Sequence, residues 1–483
     1  GALTLSGSLA ACGGTGKAKS DRLAAGSLAY TPDEVVTVEF SDGGITVSPE
    51  DAAGLAVEGT ALSVSGAGVY ALSGSCADGS VKVEAQTEDV VLLLDGLTLT
   101  SADTAPIVCG ESTGVTIAVV DGTENTLTDS EANDPDNAAD NENAEKAVVK
   151  CKDGSQVVLC GGGALTVNAR GKNGIKSGTA VDDRDASLTI RELTLNIEAL
   201  VNDAINAEQL LKVESGNLTI AAGDDAIHCD RELNIGAEST TGPAITVSTC
   251  CEGLEGAVLN IHSGNMDITS TDDCLNAANS DLGDYAFEIN ISGGTIKAYS
   301  SEGDGFDSNG TLTITGGDIS VWTANAADNQ PLDADGRITI SGGTVLAAGG
   351  SAGMGFSISA SQPYVTFGGG RDSSLSLAGG AAFSIADESG KSVLDSTALC
   401  DAAFLFYSSP ALTAEGRYSV QPTVTATAKT GEADPQFGGN GGPGGPGGQR
   451  PDGMTPPDGQ MPQGQPPQSD GTTPPELPAA SSN

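Results

Sequence analysis

Asn173-Gly174-Ile175-Lys176-Ser177, Asp203-Ala204-Ile205-Asn206-Ala207, Asp225-Ala226-Ile227-His228-Cys229, Glu252-Gly253-Leu254-Glu255-Gly256, Asp273-Cys274-Leu275-Asn276-Ala277 and Asp304-Gly305-Phe306-Asp307-Ser308 are copies of one five-residue phrase. Each reads acid or amide, any residue, large apolar, polar, small. Gln330-Pro331-Leu332-Asp333-Ala334 is a weaker seventh copy, and Ile107-Val108-Cys109 and Val149-Lys150-Cys151 keep the apolar pair without the acid. The apolar position advances by 30, 22, 27, 21, 31 and 26 residues. Upstream of most copies lies a second phrase: Ser215-Gly216, Ser263-Gly264, Ser292-Gly293-Gly294, Thr315-Gly316-Gly317 and Ser341-Gly342-Gly343. Each marks a sharp corner between runs of alternating polarity such as Leu312-Thr313-Ile314 and Ile319-Ser320-Val321.

Repeats of about 20–30 residues with several short strands and glycine corners predict a solenoid. Its strands pair in parallel, so each equivalent position becomes a ladder, and unequal steps place insertions at one corner. Ile175, Ile205, Ile227, Leu254, Leu275, Phe306 and Leu332 are expected to form an inward stack, with Cys109, Cys151 and Cys229 as buried thiols beside it. A β-propeller would need regular blades of about 40–50 residues, which this spacing does not provide. The expected fold is all-β, a single-stranded right-handed parallel β-helix over residues 34–430.

Composition sets outer bounds. The chain has 483 residues with 65 Asp+Glu against 21 Lys+Arg, a formal charge of −44. That charge excludes a nucleic-acid binder acting through a basic patch. Two histidines leave little scope for zinc chemistry or a histidine triad. The lack of any apolar run of about 18 residues excludes a polytopic helical membrane protein.

The first residues end in Leu9-Ala10-Ala11-Cys12, the small-residue pattern of a bacterial lipoprotein cleavage site. Residues 1–12 are read as a signal remnant with Cys12 lipidated, and 13–33 as a linker, placing the protein outside the cell on a membrane anchor. Pro435–Asn483 carries 12 of the 21 prolines amid Gly and Gln repeats. Residues 431–483 are therefore expected to be a disordered tail. Beyond Cys12, nine cysteines remain, an odd number without zinc spacing, which suggests free thiols.

Gly68-Val69-Tyr70-Ala71-Leu72-Ser73-Gly74, Asp78-Gly79, Val90 to Gly96, Gly122 to Asp129 and the closing Tyr407-Ser408-Ser409-Pro410 with Tyr418 fall in order along the chain. Together with the Gly-Gly-x-Ile corners they resemble a clostridial family of secreted β-helix carbohydrate-binding proteins, over roughly Val81 to Tyr418. The resemblance implies a pectate-lyase-type β-helix, bound calcium, and binding of cellulose-like or acidic sugars such as polygalacturonate without demonstrated cleavage. The acidic stretch from Asp134 to Glu145 and the tail are not part of it.

Three groups of site residues follow. Asp203, Asp225, Glu252, Asp273 and Asp304 hold one register position, Asp224 and Asp272 double it, and Asp307 and Glu255 lie close by. Carboxylates about 4.8 Å apart on adjacent strands repel by roughly 3–4 kcal/mol at an effective dielectric near 20, so such a column must protonate in part or hold cations. Hard oxygen donors select Ca²⁺, here shared between repeats, since no EF-hand loop is present. The competing reading is that these acids cap turns and splay into water. Asp182-Asp183-Arg184-Asp185 is a further candidate, equally readable as a solvated turn.

Tyr299 and Trp322 sit at the same offset after their glycine corners and are expected to point outward as a sugar-stacking platform, with Lys297 for a carboxylate. Packing beneath a loop is the alternative. Arg170, Lys172 and Lys176 near the acids are candidates for the base of a uronate lyase, with simple charge compensation of the acidic column the preferred reading. His228 and His262 are read as ordinary ladder or surface residues. The resulting expectation is a monomeric, non-catalytic, calcium-binding cell-surface protein for plant or acidic polysaccharide. A calcium-dependent lyase and a structural adhesin are its rivals.

Overall fold

The computed structural model describes residues 22–283, 285–324, 329–350, 357–369 and 375–433. All lie in the first of two compact units, Gly1–Gly438. Cys12 and the stretch Pro435–Asn483 fall outside the described residues. The chain is all-β, with no α-helix among them and one 34-stranded sheet of mixed direction.

The five-residue phrase decides the pairing. Ile175, Ile205, Ile227, Leu254, Leu275 and Phe306 are successive partners in parallel register, and Leu332 bridges to Phe306. All are fully buried. The ladder runs back through Val149 and Ile107 to Val81 and Leu62, so it begins well before the acid-bearing copies. A one-residue slip would turn this whole apolar column into water, so the register is held by the core. The thiols expected inside it are there: Cys109 pairs with Cys151, and Cys229 with Gly256. Nine cysteines are free among the described residues, seven of them buried.

Two further parallel ladders complete each repeat. One runs through Leu159, Ile190, Val213, Ile235, Ile261, Ile291, Ile314 and Ile340. The other runs through Leu195, Leu218, Ile245, Met266, Ile296, Ile319 and Val345. Between these two lie the glycine corners, and the paired glycines do different things. A Cβ on Gly316 or Gly342 would stand 2.2 Å from a carbonyl oxygen of the preceding repeat, whereas Gly317 and Gly343 have φ of +97° and +78°. The first glycine gives room and the second gives the left-handed turn.

Both ends depart from parallel pairing. Val35–Ser41 and Gly44–Ser48 form an antiparallel pair at one end. At the other, Phe404–Ser408 closes antiparallel on Thr344–Gly349 and Ile358–Gly368. Within the stretch read as a linker, Leu23–Ala25 and Leu28–Tyr30 form a hairpin packed on Ala71, Leu93, Ala118 and Cys160. A four-stranded antiparallel sheet spanning Ala382 to Thr427 covers part of the glycine-corner ladder.

Candidate functional site

The residue after the stacked apolar one points away from that stack, and these residues form a ladder of their own, polar except at Val108. In order they are Lys82, Val108, Lys150, Lys176, Asn206, His228, Glu255, Asn276 and Asp307. The face passes from basic to acidic along the stack. The acid-position residues flank it at the adjoining corner.

Those acids are not splayed into water. Asp203, Asp225 and Asp273 are 4%, 7% and 9% exposed, and Glu252 and Asp304 are half-buried. Several carboxylates accept from the next repeat: the Asp225 N–H donates to Asp203 Oδ1 at 3.2 Å, the Asp304 N–H to Asp273 Oδ1 at 2.6 Å, and the Gln330 N–H to Asp304 Oδ1. Side-chain amides serve the others: Asn206 Nδ2 donates to Asp203 Oδ2 at 2.6 Å and Asn276 Nδ2 to Glu252 Oε2 at 2.8 Å. The acid position thus satisfies corner backbone groups that a buried turn would otherwise strand.

Burial opposes ionisation along the column. It raises Asp225 to about 6, Glu252 to about 7, Asp273 to about 8, Asp304 to about 7 and Asp307 to about 6, with neighbouring carboxylates adding to the shift. Asp203 and the exposed Asp224 are raised as well, by desolvation and then by Asp225. Asp272 is exposed.

Among the described residues, three groupings bring candidate ligand atoms within 4.8 Å of one another: Asp203, Asp224 and Asp225; Asp225, His228 and Glu255; and Asp304, Asp307 and Asp333. The latter two differ in what neutralises them. At the middle one, His228 lies inside the column: its Nδ1 is 3.0 Å from Asp225 Oδ2 and 2.8 Å from Glu255 Oε2, and its Nε2 is 2.8 Å from Asp230 Oδ1. Burial disfavours its charge, but these three carboxylates outweigh that and hold the imidazole far above its usual pKa. His228 is therefore no ordinary ladder residue. The side chain at the polar position here reaches the acid position of its own repeat and the polar position of the next.

At the last, Asp304, Asp307 and Asp333 place carboxylate oxygens within 4.8 Å of one another, with no histidine or lysine among them. Gln330 beside them is 4% exposed; its amide hydrogen-bonds Asp333, while its buried Oε1 has no partner. Asp333 and Gln330 were not among the residues singled out as ligands. The signal was there, since Asp333 holds in the weak seventh copy the slot that Asp307 holds in the sixth.

The aromatic platform is corrected. Trp322 pairs with Tyr299 in register, but it is 0% exposed. It lies beneath the covering sheet, edge-on to Phe383 at 6.0 Å, with its Nε1 donating to Ser320 Oγ at 3.0 Å. Trp322 does face away from the stacked core; what covers it includes Phe383, 61 residues further along the chain. Tyr299 remains half-buried at the rim of that cover. It lines a shallow recess of about 160 Å³ with Asp267, Thr269, Lys297 and Leu399, where Lys297 Nζ donates to Asp267 Oδ2 at 3.1 Å.

The basic residues are largely engaged. Lys176 Nζ donates to Asn206 Oδ1 at 2.7 Å and pairs with Glu208 at 3.0 Å, and Lys172 lies 3.8 Å from Asp136. The Arg170 backbone N–H donates to Asp129. Lys150, which sequence reasoning passed over, is held below its ordinary pKa by burial and by Lys176 beside it. His262 is bonded to Ser292 Oγ at 3.0 Å. Asp182 to Asp185 form a turn whose Arg184 pairs with Glu88.

Stacked, parallel-laddered repeats with a polar face of graded charge define an all-β repeat protein. The chain belongs to the family of carbohydrate-binding domain-containing proteins, which it matches over residues 58–355. A carbohydrate-binding domain-containing protein of Acetivibrio thermocellus is 29% identical over 184 residues, 38% of this chain. The chain spans 60% of that relative's length. Among solved structures, the polysaccharide lyase-like protein from C. thermocellum, as its gadolinium derivative, is 23% identical, with 63% of this chain and 95% of that one covered and a TM-score of 0.35.

Proposed function

We propose that the chain is a right-handed parallel β-helix that binds plant or acidic polysaccharide without cleaving it, with calcium at its acidic end, on the outside of a bacterial cell. The parallel register of three ladders, at steps of 21 to 31 residues from Ile175 onward, supports the helix. The family supports the carbohydrate.

The observation that carries the calcium is the three-carboxylate grouping of Asp304, Asp307 and Asp333 beside the unpartnered Gln330 oxygen. Four oxygen donors with no internal cation among them suit a hard ion that takes 6–8 oxygens. This assigns the calcium to the far end of the acidic column that the sequence reading ran from Asp203 to Asp307; the grouping of Asp203, Asp224 and Asp225 shares Asp225 with His228. A bound ion with coordination positions open to solvent would let a chain of charge −44 hold an anionic sugar, which its field otherwise repels. Tyr299 at the recess rim supplies the ring contact, with Lys297 beside it.

Electrophoresis through polygalacturonate or soluble cellulose derivatives, with calcium or with EDTA, tests the reading. Retardation that EDTA removes, and that Asp333→Asn removes equally, is expected. Unaltered mobility in every gel would end it. Lys150 gives the lyase alternative its one specific support, a lysine of lowered pKa on the polar ladder. Release of unsaturated oligogalacturonates that Lys150→Met abolishes would establish that alternative instead.

A further inference from the structure

The grouping around His228 differs in donor chemistry from the all-oxygen grouping, and nothing above gives it a ligand. Nδ1 of His228, Oδ2 of Asp225 and Oε2 of Glu255 form a triangle, two of whose edges are 3.0 and 2.8 Å. Adjacent ligands of a six-coordinate ion with bonds of about 2.1 Å stand ~3.0 Å apart, so these two edges have the length of an octahedral edge, and the third pair of atoms lies within 4.8 Å. The opposite ring nitrogen, Nε2, lies 2.8 Å from Asp230 Oδ1. A carboxylate behind the far nitrogen is the usual support of a metal-bound imidazole, fixing its tautomer and raising its basicity. On the next repeat, Asn276 is the register partner of Glu255, is 7% exposed, and its buried Oδ1 has no partner. That unpartnered oxygen is independent of the hydrogen bonds within the triangle, and a cation bound beside it would give it a partner.

We infer that Asp225, His228 and Glu255 form a second metal site, for a borderline divalent ion such as Mn²⁺, Co²⁺ or Zn²⁺, distinct from the hard-oxygen site at Asp304, Asp307 and Asp333. One nitrogen and two carboxylate oxygens suit such ions better than calcium, which takes oxygen alone. Binding exchanges the hydrogen between Nδ1 and the two carboxylates for the ion; that proton leaves to solvent, Nδ1 supplies its lone pair, and no electron is transferred. Asp230 keeps its bond to Nε2 throughout as a positioning residue. The site does not depend on the polysaccharide reading, and its metal is not the calcium of that reading.

Co²⁺ titrated into the metal-free full chain is the test, because the protein has only two histidines and His262 serves as an internal control. Expected are large shifts of the His228 imidazole resonances with those of His262 unmoved, a visible cobalt absorption saturating at one equivalent, and persistence of both in excess Ca²⁺. Glu255→Gln should weaken cobalt binding about tenfold or more, while Asp333→Asn leaves it unchanged. Unmoved His228 resonances at millimolar cobalt would overturn the site in the wild-type protein alone, whether or not any variant folds. So would cobalt binding lost in Asp333→Asn and kept in Glu255→Gln.

Discussion

Trp322 shows how far one residue's role depends on what covers it. Its indole is wholly buried against Phe383 and shares a cluster with Leu346, Phe367 and Tyr407. Trp322→Ala should therefore lower stability by about 3–5 kcal/mol, as large aromatic truncations in cores do. Denaturant titration should read that loss, while sugar affinity of the folded fraction stays within twofold. Tyr299→Ala is the converse case. It should weaken polysaccharide retention about three- to tenfold, the scale of one ring contact, with the melting temperature moved by only a few degrees. A Tyr299→Ala protein that retains sugar normally would remove the recess from the site.

Among elements, the acidic corner is where stability and pH meet. Its carboxyls titrate at about 6 to 8 in the folded chain but near 4 when unfolded. The folded state therefore holds more protons than the unfolded state across that interval. Stability must fall as pH rises from about 4 towards 8, and His228, also raised, pulls the same way above its ordinary imidazole value. In EDTA the melting temperature should thus drop between pH 5 and pH 8. Calcium should flatten or reverse the slope, since ligand bound only by the folded form adds about 2.7 kcal/mol at 100 times its dissociation constant. A metal-free melting temperature that rises over this range would mean that the column is not buried in solution.

For the whole molecule, the buried column makes thiol access a test of the fold. Cys251 and Cys400 are partly exposed, whereas Cys76, Cys109, Cys151, Cys160, Cys229, Cys250 and Cys274 are buried. Burial also pushes the Cys229 thiol up to about 11 and the Cys274 thiol up to about 12, which removes the reactive thiolate. Among the described cysteines, a thiol reagent should modify at most Cys251 and Cys400 in the native protein and the other seven only after unfolding. Prompt reaction of Cys109 or Cys151 would contradict the ladder that places them face to face.

The sequence by itself determined the register. The phrase from Asn173 to Ser308 names which apolar residues stack, because a period-two strand has one buried face and any slip exposes all of it. It also marked the glycine corners and the acidic position, since each repeats at a fixed offset from the stacked residue. Only the tertiary structure decided what those positions meet. Trp322 went under a sheet drawn from residues 382–427, and no local pattern carries that information, because the contact joins distant parts of the chain. His228, beside Asp225 of its own repeat, became the partner of Glu255 across one strand spacing, and Asp333 joined Asp304 and Asp307 by the same step. Ladder position is periodic and legible in one dimension, whereas charge pairing and coverage depend on three-dimensional neighbours whose chain separation varies from repeat to repeat.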